Sequence, residues 1–182
     1  MKMKKLSIAA IVMLGLGVNA AQATDGTINF HGTVTSPGCN VVTGAENLTV
    51  NFTAMPVAAL SPLASGTTTS ELQKPFSIKL ENCPTAIQSA VMKLSGLVSG
   101  YNNKIFTGPS GTGTAGTVGY VVSEAATPST YLVSNTSTVY GKPLTAGNNS
   151  LDYLVGMSRT TGNKPVTTGT MNAVINYELS YQ

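Results

Sequence analysis

The chain has 182 residues, with 10 Lys and Arg against 7 Asp and Glu, two cysteines, one histidine and no tryptophan. That length accommodates one domain and little more. Its cations are too few and too scattered for a phosphate-binding surface, which needs clustered Lys and Arg, so nucleic acid is excluded as a partner.

The first 23 residues read as an export signal. Lys2, Lys4 and Lys5 precede the apolar stretch Leu6 to Val18, and Ala21-Gln22-Ala23 supplies the small residues of a cleavage site. The apolar run is too short to span a bilayer. Without Lys2, Lys4 and Lys5, seven basic residues face seven acidic ones, so the exported part is neutral. Neutrality gives little repulsion between copies and suits self-association.

Residues 24–35 alternate: Gly26, Ile28, Phe30, Gly32 and Val34 lie on one face, with Thr27, Asn29, His31 and Thr33 on the other. Cys39 follows and Cys83 is its one possible partner. In an exported chain two such cysteines imply a disulfide, and their spacing is not that of a redox pair. Closing a loop of 44 residues is worth about 4 kcal/mol on the chain-entropy model.

Further alternating runs are Leu48, Val50 and Phe52; then Phe76, Ile78 and Leu80; then Val118, Tyr120 and Val122; then Leu151, Tyr153, Val155 and Met157. The connections are rich in Gly, Thr, Ser, Pro and Asn. Pro56 to Thr69 is expected to be a polar link and Gly108 to Thr117 a flexible loop. Short strands with such punctuation indicate an all-β sandwich. From Met171 to Tyr181 the odd positions are Met171, Ala173, Ile175, Tyr177, Leu179 and Tyr181, and this strand reaches the final residue. A last apolar strand with no successor leaves an open sheet edge.

Patterning leaves two readings of residues 24–35 open. The segment either folds back within its own subunit or adds a strand beside the last strand of another copy. Burying Ile28, Phe30 and Val34 at ~1.5–3 kcal/mol each stabilises the second arrangement by about 5–9 kcal/mol. Ordering a dozen residues opposes it by a comparable amount.

No catalytic constellation is present. His31 is the lone histidine and sits among polar neighbours on a strand. The acids are scattered singly, so no general acid–base pair is identifiable. No His, Cys and Asp cluster offers metal-ligand spacing, and no cofactor is expected. Tyr101, Tyr120, Tyr131 and Tyr140 could stack on sugar, but most are explained by packing in a sandwich.

The stretch from Asp25 to Val34 with Cys39 after it resembles the N-terminus of chaperone–usher pilus subunits of the type 1 and P fimbrial family. Phe76 to Cys83 resembles that family's second-cysteine strand, and Ala173 to Gln182 with penultimate Tyr181 resembles its closing strand. Gly169 stands fourteenth from the end, where the family motif also carries glycine. The resemblance covers the chain beyond the signal and is weakest over residues 84–150.

It implies an immunoglobulin-like β-sandwich lacking its final strand, completed by a donor strand from another subunit. Residues 1–23 would be the cleaved signal, 24–35 the donor extension and 36–182 the incomplete pilin domain. Gly26, Ile28, Phe30, Gly32 and Val34 would enter the neighbour's groove. Gly26 departs from relatives that carry a larger apolar residue there. Gly169 and the odd positions from Met171 to Tyr181 would form the groove edge and the chaperone-recognition strand.

The implied partners are neighbouring pilins, a periplasmic chaperone, an outer-membrane usher and, through the assembled fibre, a host glycan or surface. The implied location is a pilus on the bacterial surface, supporting adhesion. A minor tip or adaptor subunit, or a carbohydrate-binding adhesin, is the alternative. Tip adhesins carry an extra lectin domain, for which the 159 residues beyond the signal leave no space.

Overall fold

The computed structural model describes residues 38–182. The signal, the extension 24–35 and His31 lie outside the described residues.

Two long strands form the spine. β2, Gln73–Cys83, turns Ile78 and Leu80 inward, while Ser77 and Lys79 alternate with them. It pairs antiparallel with β8, Gly147–Arg159, in a register that sets Phe76 opposite Tyr153 and Ile78 opposite Leu151. Those cross-strand pairs stack apolar side chains on the core face, and the Phe76 and Tyr153 rings lie 5.6 Å apart. β6, Val118–Glu124, covers the other edge of β8. β1 (Asn40–Val41), β4 (Val98–Ser99) and β5 (Asn102–Phe106) complete a six-stranded sheet in the order β1-β2-β8-β6-β5-β4.

A smaller sheet packs against it. β3, Ala90–Gly96, lies between β7, Ser137–Val139, and β9, Ile175–Tyr181. Ala90, Met92 and Leu94 of β3 face Ile78, Leu80, Phe106, Leu151 and Tyr153 across one buried cluster. Inward-facing residues of two sheets thus make the core of a sandwich. Cys39 and Cys83 are disulfide-bonded, tying the start of the body to the end of β2.

The link at Pro56–Thr69 differs from the expected polar connection. It contains a short helix, α1, Val57–Leu60. Leu60 joins Leu72, Val118, Met157 and Val166 in a second buried cluster that caps one end of the sandwich. Val57, Leu60 and Leu63 recur every third residue, but three apolar residues in a Ser/Thr-rich stretch make too short a run to mark a helix, so their burial is decided by what packs against them. The loop expected to be flexible, Gly108 to Thr117, is also anchored. Ala115 donates its backbone N–H to the Thr170 carbonyl at 2.9 Å, and Thr170 donates to the Gly113 carbonyl at 2.9 Å.

Residues 48–52 do not form the expected strand, although the chain alternates there. Among the described residues, no backbone group of 46–52 bonds to another backbone group. A strand exists only where a ladder partner exists, and here that partner is missing.

Candidate functional site

An open groove runs along the molecule between residues 46–52 on one side and Met171 to Tyr177 on the other, with a volume of about 780 Å³. Its floor is the core itself: Phe76, Ile78, Met92, Leu94, Tyr120, Val122 and Val155. Both sheets supply that floor, so the groove is a gap in the sandwich rather than a surface dent.

The first wall is β9. It pairs with β3 from Ala90↔Tyr181 to Gly96↔Ile175 and is the last strand of its sheet among the described residues. Ile175, Tyr177, Leu179 and Tyr181 point toward the core cluster and are half-buried, whereas Asn176, Glu178 and Ser180 are exposed. Their β3 neighbours Ala90, Met92 and Leu94 are buried. The difference has a simple cause: β3 is covered by strands on both sides, and β9 on one. Burial raises the Tyr177 hydroxyl above the usual tyrosine range, with a smaller contribution from Glu46. Burial likewise raises Tyr181, with a smaller effect of Tyr177.

The second wall, residues 46–52, is held by side chains. The Lys74 ammonium donates to the Asn51 carbonyl at 2.7 Å and lies 5.6 Å from the centre of the Phe52 ring. The Tyr177 hydroxyl reaches the Ala45 carbonyl at 3.4 Å. At the far end, Tyr120 ties both walls together. Its ring packs 5.4 Å from Phe52, and its hydroxyl donates to the Met171 carbonyl at 3.2 Å.

Glycine permits the crossing that precedes β9. Gly169 has φ +153°, and a Cβ there would collide with Ala115 and Thr114. A Cβ on Gly108 would collide with the Asn172 carbonyl. Residues 169–172 therefore lie flat against the loops of the larger sheet before the chain enters the smaller one.

Of the edge residues read from the sequence, Ile175, Tyr177, Leu179 and Tyr181 lie on β9. Met171 and Ala173 line the groove ahead of the strand, and Gly169 sits at the crossing. The sequence pattern missed β3 with Met92 and Leu94, and it missed Tyr120 as the tie between walls. Met92 and Leu94 do alternate with Val91 and Lys93, but Val91 is apolar too and blurs the signal. Of the tyrosines weighed for sugar stacking, Tyr140 is buried in the core, as packing requires, while Tyr101 is 65% exposed.

The described residues hold no group of three or more His, Cys, Asp or Glu suited to a metal ion.

Residues 28–182 match the family model described as fimbrial protein. The chain belongs to the fimbrial protein family. As a fimbrial subunit it is a structural protein and not an enzyme. It is 26% identical over 183 residues to long polar fimbria protein A of Salmonella typhimurium, covering 100% of this chain and 98% of that one. In fold it is similar to a subunit of a chaperone–usher pilus, with a TM-score of 0.64, 20% identity, and coverage of 86% of this chain and 95% of that one. It is also similar to the P pilus rod subunit PapA, with a TM-score of 0.61, 20% identity, and coverage of 80% of this chain and 100% of that one. The fimbrial subunit thus shares the immunoglobulin-like sandwich of those pilins.

Proposed function

We propose that this fimbrial subunit polymerises into a surface pilus by accepting residues 24–35 of a neighbouring copy in its open groove. The observation that carries the reading is the pair of unsatisfied edges facing one another across exposed core. β9 has no strand on its outer side among the described residues, and 46–52 has no backbone partner there. A strand laid between them would hydrogen-bond on both sides and extend the smaller sheet. Its alternate side chains would meet Met92, Leu94, Val122 and Val155 on the floor. Ile28, Phe30 and Val34 fit that demand at spacing two, and Gly26 and Gly32 allow close backbone approach.

An unfilled groove exposes core to water, which makes the free subunit prone to aggregation. A periplasmic chaperone covering β9, followed by handover at an outer-membrane usher, answers that physical need. The assembled fibre then supports adhesion. The segment 24–35 argues against a tip-most place, since a subunit there has nothing ahead of it to complete.

The direct test uses the chaperone-bound body lacking residues 24–34 and a synthetic peptide of that sequence. Peptide should displace the chaperone and raise the melting temperature of the body. A body that is soluble and stable alone, and indifferent to the peptide, would overturn the reading. For the chaperone, L179S with Y181S removes two of the half-buried side chains of β9. Co-purification with the chaperone and periplasmic yield should both fall severalfold, since each buried apolar side chain is worth about 1.5–3 kcal/mol. Unchanged capture would remove β9 as the recognition strand.

A further inference from the structure

The body begins and ends at the same end of the sandwich. A Cβ on Gly38 would stand 2.7 Å from the Tyr181 ring. Cys39 is bonded to Cys83 beside β8's first residue, Gly147, which pairs with Cys83. The opposite end carries Met171, Gly96 and the turn between β4 and β5.

This placement, together with a short tether, constrains how copies meet; the argument rests on the donor-strand reading above. Residues 35–37 alone separate Val34 from the body at Gly38. Four steps of at most about 3.6 Å put those two positions within about 14 Å. A donating body must therefore abut the end of the groove at which its Val34 lies.

Were that the Tyr181 end, like ends would meet, and the acceptor's own extension would have to leave through the same contact. Such a junction does not propagate. With Val34 at the Met171 end, unlike ends meet and copies stack head to tail, an open heterologous arrangement. The donor strand then runs antiparallel to β9, the more stable pairing.

The Met171 end has the surface that such a junction needs. Two of the five exposed large hydrophobics among the described residues border Gly96 there, Leu97 at 56% and Val174 at 76% exposure, and a third, Tyr101 at 65%, stands in the β4–β5 turn. Leu97 lines a depression of about 400 Å³ together with Met171 and Asn172. A Cβ on Gly96 would stand 2.7 Å from the Val174 carbonyl, and Tyr101 stands one residue beyond the lining residue Gly100. Single exposed apolar residues are ordinary on a surface. A cluster at the one end where the tether forces contact is not.

We propose that Leu97, Tyr101 and Val174 form a body-to-body contact with the Gly38–Cys39 end of the next copy, continuous with the groove. This contact would fix the angle between successive subunits, because a strand joined by three residues leaves the body free to swivel.

A photo-reactive phenylalanine analogue replacing Tyr101 in assembled fibres tests the contact. Irradiation should link adjacent subunits, with adducts mapping near Gly38 or on the turn at Pro84–Gln88 of the neighbour. L97D with Y101D should leave the concentration of 24–34 peptide that displaces the chaperone from the chaperone-bound body within about twofold. It should cut fibre yield about tenfold or more, because a charge pressed against apolar surface is strongly disfavoured. Adducts mapping elsewhere, or full fibre yield from the double variant with peptide binding intact, would overturn this contact and leave the donor strand standing. Failure of the peptide to bind the unaltered body would overturn both.

Discussion

Cells making the chain without residues 24–34 should have no fibres of this subunit, while the chaperone-bound subunit still accumulates in the periplasm. The deletion removes Ile28, Phe30 and Val34 and leaves the groove, β9 and both wall-holding tyrosines in place. Three apolar side chains at the lower limit contribute about 5 kcal/mol, which is more than three orders of magnitude in subunit affinity. The backbone ladder along the donor strand is lost as well. Accepting and donating are therefore separable: the shortened chain can receive a strand but cannot supply one. Electron microscopy of the cells, with immunoblotting of heat-resistant multimers, reads the effect. Fibres of normal number and length would sink the donor assignment.

Replacing both cysteines, Cys39→Ser with Cys83→Ser, should cost about 4 kcal/mol, on the chain-entropy model for a 44-residue separation. Small domains are stable by about 5–15 kcal/mol in all, so this one loss removes from about a quarter to most of the total. The free subunit is worse placed than most, since its groove leaves core uncovered. The bridge also anchors the point where the extension leaves the body, beside Gly38 and the Tyr181 ring. Loss of the bond should thus lower both the urea midpoint of the chaperone-free subunit and its periplasmic level. A midpoint shift equivalent to less than about 1 kcal/mol would show that the loop it closes is already restrained by packing. Peptide complementation of the groove should recover part of the lost stability by mass action.

Much of the sandwich was legible in the chain because burial on one face imposes a period of two. Phe76, Ile78 and Leu80, and Leu151, Tyr153 and Val155, were placed on strands by that period alone, and β2 and β8 hold them opposite one another. The period failed where both faces are covered, as at Val91, or where burial depends on distant loops, as at Leu60. It also pointed to a strand at Leu48, Val50 and Phe52, where the backbone bonds to no other backbone group among the described residues.

That segment separates what each level determines. The order of amino acids determined which side chains face inward, that the two cysteines pair, and that the last strand is apolar on one side to its end. These are local or combinatorial properties, set by side-chain chemistry and by count. Only the tertiary structure decided that β9 and residues 46–52 stand apart with core between them, bridged at one end by Tyr120. Pairing depends on which segments, far apart along the chain, come to lie side by side, and alternation carries no information about a neighbour that is absent.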